Sequence, residues 1–290
     1  MHILSQIGAE IQLTIYYIFI NFFIYGFIGW CAEVAFAALK ERRFVNRGFL
    51  NGPYCPIYGV GVTAVVMLMR PFEENLLLLF VASSILVTVL EWLTGFLLEA
   101  LFHHKWWDYT GMPLNLNGYV CLPFSLLWGV ACVVIVKLLH PLIFKGYSFL
   151  PVWLGTVILS VLSAAFIADL CVTVSGILKI NKKLEKMEEI AAELHRISEQ
   201  VGENIYHNVM EGMERQEAIR EKREEYQREL REREAELREK YAEFLEHSSR
   251  TGRRILRAFP KMQSKKHREI WGELRKKHDK LHQKLMSGKK

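Results

Sequence analysis

Long runs of apolar side chains with almost no charge constrain this chain more than any other feature. Residues 15–39, 76–102, 119–139 and 149–178 are such runs, each near the roughly 20 residues that a helix needs to cross a bilayer core. In lipid, every backbone N–H and C=O must be paired within the protein, so these runs are expected as spanning helices. A fifth run, residues 56–69, is shorter than the hydrocarbon thickness. Gly52, Pro53, Pro56 and Gly59 at its entrance predict a broken or re-entrant start that protein must cover. The expected fold class is all-α: a polytopic membrane protein with five transmembrane helices, followed by a long charged cytoplasmic helical tail.

Charge divides the chain in the same place. The 290 residues hold 37 Lys and Arg against 31 Asp and Glu, a formal charge of +6. Residues 1–178 sum to −1 and residues 179–290 to +7, which excludes one evenly mixed water-soluble domain. Three regions are expected: a transmembrane domain at 1–178, a charged, partly coiled-coil-like helical tail at 179–249 and a basic amphipathic tail at 250–290. Residues 1–14 contain no Lys or Arg, so the first apolar run is expected to stay as an anchor. Cys31, Cys55, Cys121, Cys132 and Cys171 show no CxxC pairing and are expected reduced. Lys40, Arg42, Arg43, Arg47, Lys105, Lys179, Lys182 and Lys183 gather on one side of the spans. That bias predicts the N-terminus outside and the C-terminus in the cytoplasm of a multi-pass cell-membrane protein.

A 66-residue shift without gaps aligns Gly29, Glu33, Phe36, Leu50, Asn51, Gly52 and Cys55 with Gly95, Glu99, Phe102, Leu116, Asn117, Gly118 and Cys121. Residues 29–55 and 95–121 thus read as a tandem helical-hairpin repeat. The expected spans run the same way in both copies, so an approximate two-fold axis along the membrane normal would relate them. Their acids and Asn-Gly pairs would then meet.

Ionisable groups inside spans are costly and mark polar interiors. Glu33, Glu91, Glu99 and Asp169 are of this kind, and Glu91, Gly95 and Glu99 share one helical face. Arg47 stands between Asn46 and Gly48, where its planar guanidinium could pair with a carboxylate or a phosphate headgroup. The expected substrate-binding residues are Glu33, Arg47, Asn51, Glu91, Glu99 and Asn117 around a cytoplasm-facing cavity, with Trp106, Trp107 and Asp108 at its rim. Packing carboxylates near the interface and an aromatic belt are the simpler alternatives for these positions. His103 and His104 lack the i, i+4 spacing of a metal pair, and neither metal nor cofactor is expected.

Several of these segments also carry a resemblance. Asn46-Arg47-Gly48-Phe49-Leu50, Gly52-Pro53-x-Cys55-Pro56-Ile57-Tyr58-Gly59, Glu91-x-x-Thr94-Gly95-x-x-x-Glu99, Trp106-Trp107-Asp108-Tyr109, Asn117-Gly118, Cys121 and Trp128-Gly129 resemble the ABC-transporter type IV permeases, the CmpB-like bacterial membrane proteins. Thr110 departs from the Ser expected after the Trp-Asp-Tyr run. The likeness covers about residues 25–139 and implies a membrane permease for a small polar or lipid-like solute. No P-loop, nucleophile elbow or zinc helix occurs in the sequence, so ATP hydrolysis would fall to a separate ATPase subunit and the chain itself is not expected to be an enzyme.

In the tail, Ile190, Leu194, Ile197 and Val201 form a short coiled-coil-like seam, and Glu224, Glu229, Glu234 and Glu236 each precede Arg or Lys by four residues. A long helix is expected there, about 65 residues if continuous, either as a solvated charged helix without a partner or self-associating through Leu230, Leu237 and Phe244. Residues 250–290 hold 15 basic and 3 acidic side chains, interleaved with Ile255, Leu256, Phe259, Ile270, Trp271 and Leu274. Anionic membrane lipid is the expected partner, not nucleic acid. Two further readings stand beside the permease: a non-transporting scaffold whose tail organises partners or lipid, and an intramembrane enzyme using Asp108 or Glu91 on a lipid headgroup.

Overall fold

The computed structural model describes residues 2–211, 217–246 and 250–287. About 80% of the chain is helical and there is almost no sheet. Four helical segments are long and apolar enough to cross a membrane: Glu10–Glu41, Leu76–Phe102, Leu122–Ser148 and Val152–Gln200. Pro56–Leu68 is apolar but shorter. The chain is a multi-pass membrane protein by these segments.

Two compact units divide the chain: Met1–Ile177 with Arg254–Gln263, and Leu178–Arg253 with Ser264–Lys290. In the first unit, helix α1 (His2–Glu41) packs mainly on α2 (Pro56–Leu68), and α3 (Leu76–Phe102) mainly on α4 (Leu122–Val134). Both second helices are 13 residues long, and each opens on a cysteine N-cap, Cys55 or Cys121, with proline in the first two positions. Proline costs nothing there, because its missing N–H would have no intrahelical partner. Glycine permits close helix contact. A Cβ on Gly29 would run into the Tyr58 ring, and one on Gly95 would come within 2.9 Å of the Tyr119 ring.

The fourth span differs from the expected 119–139. It starts three residues later and runs on through a π-helical turn, Ile135–Leu139, into α5 (His140–Ser148). Pro141 lacks the N–H that a regular helix would use, and the wide turn immediately before it takes up that loss. Tyr25 and His140 Nδ1 are hydrogen-bonded at 2.8 Å, and Tyr147 donates to Asn21 Oδ1 at 3.1 Å, so α5 is anchored on α1. Large apolar side chains along the spans face outward, among them Trp153 at 69% exposure and Leu77 at 71%. In water such a surface would drive association; in a bilayer it is matched to the acyl chains.

The last span does not stop at residue 178. Helix α6 runs unbroken from Val152 to Glu211, turning from an apolar to an amphipathic sequence on the way. In the second unit Ile180, Leu184, Met187 and Ile197 form its buried stripe. The seam therefore begins well before the expected Ile190; Ile190 and Leu194 are half-buried, and the side chain of Val201 lies outside the described ones. Helix α7 (Glu217–Glu246) contributes buried Leu237, with Leu230 and Phe244 half-buried; a short α8 (Arg250–Ala258) follows, and α9 (Arg268–Ser287) contributes buried Ile270, Trp271 and Leu274.

Polar contacts join the three helices. Arg233 pairs with Glu193 at 3.2 Å, Tyr241 donates to Glu273 at 2.5 Å, and buried His267 bonds Glu188. Glu234–Arg238 and Glu236–Lys240 form the expected i, i+4 pairs, both at 2.6 Å. The continuity expected of the tail helix falls partly on residues 212–216 and 247–249, outside the described residues.

Candidate functional site

The loop at residues 42–55 begins where α1 ends, at Arg42 with φ 52°. Asn46 organises it: its Oδ1 accepts from Trp30 Nε1 at 2.8 Å and from Gly48 N at 3.0 Å, and its Nδ2 donates to Asn51 O at 2.7 Å. The resulting turn sends Arg47 back onto α1. There its Nε lies 3.2 Å from Glu33 Oε2, and its guanidinium lies 5.5 Å from the centroid of the Phe36 ring. The other oxygen of Glu33 accepts from Tyr58 on α2 at 2.8 Å. One hairpin thus supplies a carboxylate, a guanidinium and a phenol in direct contact.

The loop after α3 is built differently. His103 closes the helix with φ 58°. Two-residue strands, Asn115–Leu116 and Val120–Cys121, then pair antiparallel around Asn117 and Gly118, with φ 56° and 71°. Positive φ at both central residues, with Tyr119 N bonded to Leu116 O at 3.1 Å, makes this a type I′ turn, for which Asn-Gly is the favoured sequence. Trp107 Nε1 donates to Tyr119 O at 2.7 Å. Asp108 pairs with Lys105 at 2.9 Å and accepts from Thr110 N at 3.0 Å and from the Thr110 hydroxyl. Burial alone would raise the Asp108 pKa, but the bonds from Thr110 and Lys105 outweigh it and hold the carboxyl below its ordinary value. Thr110, the departure noted in the motif, therefore supplies the hydroxyl that this carboxylate needs.

This second loop lays Tyr109 against Phe124, ring centroids 4.9 Å apart, and turns its hydroxyl toward Glu91. Burial raises the Tyr109 pKa, the charges of Glu91, Cys121 and Glu33 add to that rise, and Arg47 opposes it. The Tyr109 phenol thus bonds Glu91 of its own hairpin within reach of the charges of Glu33 and Arg47. Glu91 is buried, and its Oε2 has no hydrogen-bond partner among the described residues.

A second polar cluster lies at the other end of the first loop. Asp169 on α6 accepts from Asn51 N at 3.1 Å, from Asn51 Nδ2 at 2.9 Å and from Gly52 N at 2.6 Å. Thr173, one turn on and fully buried, accepts from Asn51 Nδ2 at 2.9 Å and donates to Asp169 at 3.2 Å. Arg254 completes it, donating to Asn51 Oδ1 at 2.9 Å, Gly48 O at 2.8 Å and Phe49 O at 2.7 Å.

Of the expected site residues, the structure pairs Glu33 with Arg47 and places Glu91 against Tyr109; Tyr58, bonded to Glu33, and Tyr109 are members that the sequence had shown only as motif letters. Glu99 is buried a little over two turns beyond Glu91 and bonds Tyr119. Asn51 belongs to the Asp169 cluster. Asn117, which the 66-residue shift aligns with Asn51, is an exposed turn residue, so the two Asn-Gly pairs do different work. Trp106 is buried among Phe49, Phe102 and Phe259, and Asp108 braces its own loop. Asp169 and Thr173 had a signal in their i, i+4 spacing along a polar stripe of an apolar span. Arg254 had none, being one of fifteen cations in residues 250–290. No group of three or more His, Cys, Asp or Glu with metal-holding geometry occurs among the described residues.

A family model described as "Putative ABC-transporter type IV" (CmpB) matches residues 20–174, more than half of the chain. The chain belongs to that family. The matched region contains Glu33, Arg47, Tyr58, Glu91, Tyr109, Asn51, Asp169 and Thr173, and it ends before the second unit and before Arg254. No curated protein and no solved structure matches the chain.

Proposed function

We propose that this chain is the membrane permease component of an ABC-type transporter, with five spans built on a tandem hairpin repeat. It binds or moves a proton, a cation or a small polar or lipid-like solute at the Glu33–Arg47–Tyr58–Glu91–Tyr109 cluster. The observation that carries this reading is the Glu33 carboxylate held by Arg47 at 3.2 Å and by Tyr58 at 2.8 Å, beside a buried Glu91 that accepts from Tyr109 and keeps one oxygen without a partner among the described residues. Two carboxylates with one guanidinium leave one negative charge for a proton or a cationic group to neutralise. In a low-dielectric interior, that imbalance gives the site its selectivity for positive charge.

Pro56–Leu68 counts as the fifth span. The paired 13-residue helices behind cysteine N-caps support the repeat. The cytoplasmic placement of the C-terminus rests on the Lys and Arg bias of the loops. ATP hydrolysis falls to a partner subunit. Contact with anionic lipid falls to exposed cations such as Arg253, Arg257 and Lys261, because the apolar side chains Ile255, Leu256, Ile270 and Trp271 are buried within the chain.

The test is proton movement into vesicles of phosphatidylethanolamine and phosphatidylglycerol, read with an internal pH-sensitive dye under a potassium diffusion potential. Wild-type protein is expected to conduct, and Glu91→Gln and Glu33→Gln to lose most of the flux. Equal flux in wild type and both variants removes the carboxylates from the mechanism.

A second reading, a non-transporting scaffold, is favoured by the second unit, whose α6, α7 and α9 share buried side chains, a cross-helix ion pair and a cross-helix hydrogen bond. Leu237→Asp with Trp271→Asp separates the two readings: a scaffold loses its cellular phenotype, whereas a permease keeps its flux.

A further inference from the structure

The segment Arg254–Gln263 stands apart from its chain neighbours, because it belongs to the compact unit of the membrane helices while residues on either side belong to the other unit. It is held at two points. The Arg254 guanidinium meets three acceptors of one loop, Gly48 O, Phe49 O and Asn51 Oδ1, all at 2.7–2.9 Å. Five residues on, the Phe259 ring stands edge-on to Trp106 with centroids 4.7 Å apart, and Trp106 in turn touches the Phe49 ring at 5.3 Å.

Two carbonyls from consecutive residues and an amide oxygen make an acceptor set that suits a planar guanidinium fork. A lysine ammonium is a point donor and could not span it. Asp169 lies close enough for its charge to favour the bound cation, and it holds the same loop through the amides of Asn51 and Gly52. This loop also carries Arg47, whose neighbour Gly48 supplies one of the three acceptors, and it leads into Cys55.

We propose that Arg254–Gln263 is a tethered, arginine-bearing ligand of the loop at residues 48–52, a latch that keeps Arg47 seated on Glu33. Docked, the latch leaves Glu33 neutralised by Arg47; withdrawn, it lets the loop lift, so that Arg47 leaves Glu33 and the carboxylate becomes available. The consequence for a solute rests on the function proposed above, but the docking does not. The latch lies outside the region that matches the family, so it is a device of this chain's C-terminal part.

Cys55 reports on the latch directly. Its thiol is buried at 4% exposure, and burial, with the Glu33 charge adding and Arg47 opposing, raises its pKa to about 12. Buried Cys121, at the start of the other hairpin's second helix, is the internal control. The experiment is maleimide labelling of the full chain in detergent, read site by site by peptide mass spectrometry. Arg254→Ala is expected to label at Cys55 about tenfold faster than wild type, with Cys121 unchanged, the scale set by losing charge-assisted hydrogen bonds. Arg254→Lys is expected to behave like Arg254→Ala. Methylguanidinium is expected to restore protection to Arg254→Ala, whereas sodium chloride of equal ionic strength is not. An unchanged Cys55 rate overturns the latch, and so does a rise at Cys55 and Cys121 alike that methylguanidinium fails to reverse. If Cys55 responds as expected while wild-type vesicles conduct no protons, the latch stands and the proposed solute site falls.

Discussion

Asn51 and Asp169, 118 residues apart in the chain, are joined by a 2.9 Å hydrogen bond between their side chains. Because Asp169 also accepts from the Asn51 and Gly52 amides, one carboxylate on the last span fixes the backbone of a loop that follows the first. The loop has no regular secondary structure of its own, so these bonds substitute for a ladder.

Asp169→Ala removes all of these acceptors and leaves two backbone donors unpaired. The expected loss is about 2–4 kcal/mol, since each unsatisfied buried donor costs roughly 1–3 kcal/mol. Thermal unfolding in detergent measures it. Asp169→Asn keeps the shape and some acceptor capacity and should fall between wild type and Asp169→Ala.

A methyl group at Gly29 would meet the Tyr58 ring, whose hydroxyl serves Glu33. Gly29→Ala should therefore destabilise by about 1–3 kcal/mol, the usual cost of overpacking, and should separate Tyr58 from Glu33. Gly146→Ala, where nothing lies within 4 Å of the added carbon, should be neutral or slightly stabilising by the same melting assay.

Asp108 gives a pH dependence of known sign. Its folded pKa lies below the ordinary 3.8, so its ionised form contributes stability in full above that value. The contribution is lost as pH falls through the folded pKa. Asp108→Asn should lower the melting temperature at neutral pH, and its difference from wild type should shrink below about pH 3.9. The group is partly solvated, so the expected effect is well under the cost of losing a buried pair.

Trp107→Phe keeps an aromatic ring, though a smaller one, and deletes the donor to Tyr119 O. The expected cost is about 1 kcal/mol of stability. Amide hydrogen exchange at residues 115–121 should quicken, because that carbonyl lies inside the type I′ turn that Trp107 braces.

Much of the candidate site was legible in the residues that break the apolar pattern. Glu33 and Glu91 stood out as charges where lipid would reject them and Arg47 as a cation in a glycine-rich loop, and the structure pairs Arg47 with Glu33. The recurrence of Asn-Gly at residues 51–52 and 117–118 was less informative than its identity implied. At Asn117 the pair serves backbone conformation through positive φ, whereas at Asn51 the amide side chain serves hydrogen bonding. Identical letters under different local backbones carry different chemistry. The paired indoles misled for a similar reason: Trp106 looks like an interface residue by type, but Phe49, Phe102 and Phe259 enclose it.

The sequence by itself determined that this chain is a helical membrane protein with a charged tail, because hydrocarbon allows only internally bonded backbone and the spans record that constraint residue by residue. It also determined the family, through motifs local enough to read in order. Only the tertiary structure decided that Tyr109 faces Glu91, that Asp169 holds Asn51, and that one cation among fifteen in the basic tail seats itself on the loop at residues 48–52. Those pairings span from 18 to more than 200 residues of chain, and helical periodicity fixes which face a side chain takes, not which distant partner that face meets.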